Sequence, residues 1–143
     1  MPDQRVLLVD DEVDFIAVLG KRLEARGLSV VTATDGGQAV EAVRKSTFDV
    51  IILDLYMADM DGIETLKEIL KLDKNAQVIL LTGHYTSKMS DEAIRLGAVD
   101  FLEKPADIDH LRARIGEAAA KRMVSVEEHS MDRIEDIIGS RRK

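Results

Sequence analysis

Five short apolar runs alternate with helix-period segments along the whole of this chain. The runs are Arg5–Val9, Leu28–Ala33, Val50–Leu53, Gln77–Leu81 and Val99–Leu102. Runs this short, rich in β-branched residues and bounded by turn formers, predict strands, most of them buried on both faces. Between them the apolar spacing changes to that of helices. Val13, Ile16, Leu19 and Leu23 follow the first strand, with Gly27 as a stop. Asp35 and Gln38 have capping-box spacing and open a helix through Ala39, Val40 and Val43. Met57 to Gly62 reads as a loop, and Ile63, Leu66, Ile69 and Leu70 line one face of the helix after it. A helix from about Lys88 to Leu96 stops at Gly97, and another carries Ile108, Leu111 and Ile115. Strand–helix alternation repeated in this way implies a parallel sheet covered by helices on both faces, with right-handed crossovers.

That inference gathers the polar residues at strand ends onto one edge. Asp10 and Asp11 end the first strand, Asp54 the third and Thr82 the fourth, and Lys104 follows the fifth. In the doubly wound order 2-1-3-4-5 the first and third strands are neighbours at the topological switch point. Asp10 or Asp11 then approaches Asp54. Clustered carboxylates raise one another's pKa unless a cation offsets them. No His or Cys stands among these strand-end residues, so an all-oxygen site suited to Mg²⁺ is the expectation. Lys104 adds a positive charge and Thr82 a hydroxyl donor. Such a set suits a phosphoryl group, with a carboxylate as nucleophile giving an aspartyl phosphate. Each member alone has a plainer reading. Asp54 can be a polar strand terminator and Asp10-Asp11 a helix-opening acidic pair. Thr82-Gly83 can be turn chemistry and Lys104 a solvated charge.

Composition narrows the function classes. The 143 residues suit one domain, with 45% hydrophobic and 33% charged residues. The net charge of -7 argues against direct nucleic-acid binding, and 3% aromatic residues without Trp give few stacking surfaces for bases. No apolar stretch approaches the length of a membrane span, and the N-terminus lacks the pattern of a secretory signal. Cysteine is absent, which fits a reducing, cytoplasmic compartment.

The motifs in order resemble the receiver domain of two-component response regulators. They are Val6-Leu7-Leu8-Val9-Asp10-Asp11-Glu12, Asp54-Leu55-Tyr56-Met57 with Asp61-Gly62, Thr82-Gly83, Gly97-Ala98 and Lys104-Pro105. The resemblance covers roughly residues 4–122 and implies a flavodoxin-like receiver architecture. It also implies a phosphorylation switch that is not an enzyme beyond self-phosphorylation and autodephosphorylation. Asp54 is then the phosphoacceptor. Asp10 and Asp11 hold Mg²⁺, Asp11 more directly, together with Asp54 and the Tyr56 backbone carbonyl. Thr82 and Lys104 contact phosphoryl oxygens, and the bond before Pro105 is cis. Phe101 matches an aromatic switch position, where core packing is an equal alternative. The implied partners are a histidine kinase or histidine phosphotransfer protein, and a protein target met through the fourth helix, fifth strand and fifth helix. That face, or the C-terminal helix, is also where a homodimer would form.

The chain departs from the family pattern at Ala58, where Pro usually follows Met57. Tyr56 and His84 occupy positions that flank the phosphoryl group in the family; a solvated loop residue is the plainer reading of His84. Residues 123–143 fall outside the resemblance. Ser125-Val126-Glu127-Glu128 has capping-box spacing, Met131, Ile134 and Ile138 share a stripe with Ile137 alongside, and Gly139 offers a stop. An extra helix over about residues 126–138 is expected, either with a function of its own or as a linker belonging to a longer regulator. Two enzyme or cofactor classes share the topology. A haloacid-dehalogenase-like phosphatase expects a general acid two residues after its nucleophile, where this chain has Tyr56. A flavin binder expects a phosphate loop after the first strand, where Asp10-Asp11-Glu12 would repel phosphate. A receiver reduced to a structural module would not need the full acidic set.

Overall fold

A computed structural model describes residues 4–57, 62–83 and 87–141, with side chains described as far as residue 128. The chain runs β1 Arg5–Val9, α1 Val13–Glu24, β2 Ser29–Ala33, α2 Gly36–Lys45, β3 Val50–Leu53, α3 Gly62–Leu72, β4 Val78–Thr82, α4 Ser87–Leu96, β5 Asp100–Glu103 and α5 Ile108–Arg141. The strands form one parallel sheet in the order β2-β1-β3-β4-β5. Both the alternation and the order agree with the sequence reading.

Burial follows strand position. β1, β3 and β4 lie inside the sheet and are buried at almost every residue. β2 and β5 are edges, and β2 exposes most of its length. The alternating side chains split the core in two. Leu7, Ile51, Leu53 and Leu80 pack with Ile63, Leu66 and Ile69 of α3 on one face. Leu8, Ile52, Ile79 and Leu81 pack with Ile16 and Leu23 of α1 and Leu111 and Ile115 of α5 on the other.

Local signals set the ends of the elements. Asp35 accepts a 2.7 Å bond from the Gln38 amide. The Gln38 side chain reaches back to the amide of Thr34, at 2.9 Å, one residue ahead of the expected partner. Gly27 and Gly97 close α1 and α4 with positive φ, +88° and +121°, which L-residues rarely adopt.

Three expectations change. Val13 is 59% exposed, and the buried face of α1 is Ile16, Leu19, Gly20 and Leu23. The expected extra C-terminal helix exists, but as the far half of α5 rather than a separate element. Ser125 lies inside continuous helix, because residues 116–125 contain no Pro and are rich in Ala, Lys, Arg and Met, which favour helix. The stop expected at Gly139 is likewise overrun, since α5 continues to Arg141.

Candidate functional site

The parallel register brings the C-terminal ends of β1 and β3 side by side. Val9 pairs with Leu53, and the Asp54 amide donates to the Val9 carbonyl at 3.0 Å. The carboxylates of Asp10 and Asp54 therefore share one edge, and both residues are almost fully buried, at 2% and 3% exposure. Each is fixed by a local turn. Asp10 Oδ1 accepts the Glu12 amide at 2.9 Å, and Asp54 Oδ1 accepts the Tyr56 amide at 3.0 Å.

Lys104 reaches into this pair from beyond β5. Its amide donates to the Thr82 carbonyl at 2.9 Å, which continues the β4–β5 ladder past Glu103. Its Nζ lies 2.5 Å from Asp10 Oδ2, 3.2 Å from Asp54 Oδ2 and 3.5 Å from Glu12 Oε1. The ammonium also sits 4.3 Å from the centroid of the Phe15 ring, in reach of a cation–π contact. The Lys104–Pro105 peptide bond is cis.

The electrostatics follow from this geometry. Burial lifts the Asp10 carboxyl above its ordinary value, and the nearby Asp54 charge adds to the rise; Lys104 and the Glu12 amide pull against it. Burial alone would lower Lys104, but its bonds to the two carboxylates outweigh that and leave its pKa above the usual lysine value.

Carboxylate oxygens of Asp10, Glu12 and Asp54 all lie within 4.8 Å of one another. Oxygen donors at this spacing, short of positive charge, fit a hard divalent cation such as Mg²⁺. Glu12 is the member of this cluster that sequence reasoning passed over; its amide turns back onto Asp10 Oδ1. Asp11, expected as a metal ligand, lies exposed at the rim between them. Thr82 is 1% exposed at the end of β4. Phe101 is half-buried on β5 and packs against the core that β3 and α3 share. Tyr56 is 37% exposed beside Asp54. Asp59, Asp61 and His84 fall outside the described residues.

Two further positions bear on the site. Phe15 lies one helical turn beyond Glu12 and was not singled out by the sequence, which carries no signal for a ring beneath the Lys104 ammonium. Gly62 sits so close to the segment after Asp54 that a Cβ there would fall 2.3 Å from the Leu55 Cα, while its amide donates to the Leu55 carbonyl at 3.1 Å. Only glycine allows the start of α3 to clasp the backbone that carries Asp54.

The family model for the response regulator receiver domain matches residues 6–116. The chain belongs to that family. Receiver domains of this kind serve two-component systems, are phosphoacceptors, and typically carry an aspartyl phosphate and bind Mg²⁺ at an acidic pocket. The transcriptional regulatory protein ZraR of Escherichia coli strain K12 is 40% identical over 115 residues, 80% of this chain and 26% of its own. The chain thus spans about a quarter of the length of the ZraR relatives it matches. Sporulation initiation phosphotransferase F of Bacillus subtilis strain 168 is 35% identical, with 78% of this chain and 90% of that protein covered. Among solved structures, NtrX from Brucella abortus in complex with ATP matches with a TM-score of 0.83 and 30% identity, covering 92% of this receiver chain and 30% of NtrX. A CheY-like receiver domain from Methanospirillum hungatei JF-1 matches with a TM-score of 0.82 and 25% identity, covering 86% and 98%.

Proposed function

We propose that this receiver is a cytoplasmic signalling switch that takes a phosphoryl group on Asp54 from a phosphohistidine of a histidine kinase or phosphotransfer protein. The observation that carries the reading is the buried Asp54 carboxylate held between the Tyr56 amide and the Lys104 ammonium. Those two contacts fix its orientation and leave the charge-neutralising lysine next to the reacting oxygen. A carboxylate oxygen of Asp54 forms the new O–P bond as the donor P–N bond breaks, and the imidazole leaves with the electron pair and takes up a proton. Positioning and charge neutralisation are the main demands of such a transfer.

Lys104 stands 3.2 Å from Asp54 Oδ2 and moves its contact to an oxygen of the incoming phosphoryl group. Thr82, at the end of the neighbouring strand, donates its hydroxyl to another. Asp10 and Asp54, with Glu12, would hold Mg²⁺; Asp11 at the rim and the Tyr56 carbonyl are the further oxygen donors of the family pattern. Bound there, the ion offsets the negative charge that the phosphoryl group adds. Phe101 responds to the movement of Thr82 one strand away, and the surface of α4, β5 and α5 carries the change to a protein target. The chain has no other enzymatic activity in this reading than self-phosphorylation and loss of its own phosphoryl group, and it binds no nucleic acid directly.

The test is incubation with acetyl phosphate. A gain of one phosphoryl group that requires Mg²⁺ supports the reading, and no gain at millimolar acetyl phosphate and Mg²⁺ contradicts it.

A further inference from the structure

Among the described residues the Lys104 ammonium meets four groups, and three of them are the carboxylates of the candidate metal cluster. Asp10 Oδ2, Asp54 Oδ2 and Glu12 Oε1 lie 2.5, 3.2 and 3.5 Å from Nζ. A divalent ion held by Asp10, Glu12 and Asp54 would draw on the same oxygens and repel the ammonium. A phosphoryl group on Asp54 would take the place of the carboxylate contact there. Each step of the proposed reaction thus weakens a contact that holds the lysine in the unloaded site. The charge rides on a flexible four-carbon stem, which does not fix its position by itself.

The fourth contact is of another kind. Nζ lies over the ring of Phe15, 4.3 Å from its centroid. The ring ligates no ion and accepts no phosphoryl group. It attracts the cation through the negative face of its π system, so the three ammonium donors stay available for oxygens. α1 holds the ring in place. Phe15 stands three residues after Glu12, on the same side of the first turn, and precedes Ile16, which is 2% exposed. The ring packs against the core that β1, β4, α1 and α5 share. The Lys104 side chain is only 12% exposed, and a cation–π contact strengthens as the cation is desolvated.

We infer that Phe15 is a positioning residue for Lys104. Its ring face keeps the ammonium over the site while the lysine exchanges its oxygen contacts among the carboxylates and the incoming phosphoryl group. The inference rests on Asp54 being the acceptor. It gives Phe15 a part that apolar packing does not supply: an aliphatic side chain at this position would fill the same core but would not attract the charge.

Because Phe15 also packs, the probe must keep its shape. Ring fluorines withdraw charge from the face and change the shape little. Phenylalanine carrying one, two or three ring fluorines, installed at position 15 alone, leaves Phe48 and Phe101 untouched. The initial rate of phosphorylation by acetyl phosphate at saturating Mg²⁺ should fall in step with the number of fluorines, by roughly three- to tenfold at three. Fluorinated chains as fast as the parent overturn this inference and leave the acceptor reading standing. A parent that gains no phosphoryl group overturns both. Urea unfolding without Mg²⁺ gives a reading that needs no activity. Three fluorines at position 15 should favour unfolding at least about threefold more in the parent than in the Lys104→Met background, a comparison that cancels what fluorine does to packing. Equal shifts in the two backgrounds overturn the inference.

Discussion

Lys104 and Asp54, fifty positions apart in the chain, meet at 3.2 Å across the ends of two strands that do not touch each other. β4 lies between β3 and β5, so the lysine spans one whole strand to reach the carboxylate. The same ammonium bridges Asp10. It is thus the cation that compensates two buried acids, and the site responds sharply to its loss.

Lys104→Met should lower stability by about 1–3 kcal/mol when a chelator is present, because two carboxylates remain buried beside each other without their partner. Millimolar Mg²⁺ should recover much of that loss by binding the folded state alone. Urea unfolding with EDTA and with Mg²⁺ checks both halves. A variant as stable as the parent in EDTA would show that the lysine contributes little to the charge balance.

Asp10→Asn should act in the opposite direction. The folded-state carboxyl is raised above its unfolded value of 3.8, chiefly by burial. The folded protein therefore holds that proton more tightly, and this group's contribution to stability falls as pH rises through the interval between the two values. Lys104 is also raised, so its favourable contribution is complete below 10.5 and is lost only as pH rises through its higher folded value. Of these two, it is the Asp10 effect that falls within pH 4 to 8. Asp10→Asn keeps an acceptor for the Glu12 amide and removes the charge, so the variant should gain about 1 kcal/mol over the parent near neutral pH, and less near pH 4. Thermal unfolding over that range, without metal, measures the divergence. Mg²⁺ should stabilise the variant less than the parent.

Gly62→Ala should cost about 2 kcal/mol or more, since its Cβ would fall inside the Leu55 backbone. The strain falls on the residue next to Asp54, so uptake of phosphate should slow as well. Urea unfolding gives the first and acetyl phosphate kinetics the second.

Tyr56→Ala should shorten the life of the phosphorylated state. The Tyr56 amide donates to Asp54 Oδ1 and its ring is partly exposed, and a ring held there is expected to hinder an attacking water. Dephosphorylation at the same rate in the two chains would contradict this role.

The sheet was legible in the sequence because its central strands are buried on both faces and read as unbroken apolar runs, as in Val50–Leu53. Strand ends then located Asp10, Asp54, Thr82 and Lys104 before any geometry. What sequence did not show was that Glu12 comes within reach of the two buried acids, because that depends on the turn its amide makes onto Asp10. The unity of α5 was hidden for a related reason. Ser125 and Glu128 have the spacing of a helix start, yet local capping signals yield when the preceding turn is already helical and tied to the receiver by Arg122. Gly62 was visible as a glycine, but its close approach to Leu55 is a tertiary fact.

The central claim is that Asp54 takes the phosphoryl group. Intact-mass measurement of the parent and of Asp54→Ala, each incubated with acetyl phosphate and Mg²⁺, tests it most directly. The account predicts one added phosphoryl group on the parent and none on Asp54→Ala. An equal gain on Asp54→Ala, through Asp59, Asp61 or any other acid, would contradict it.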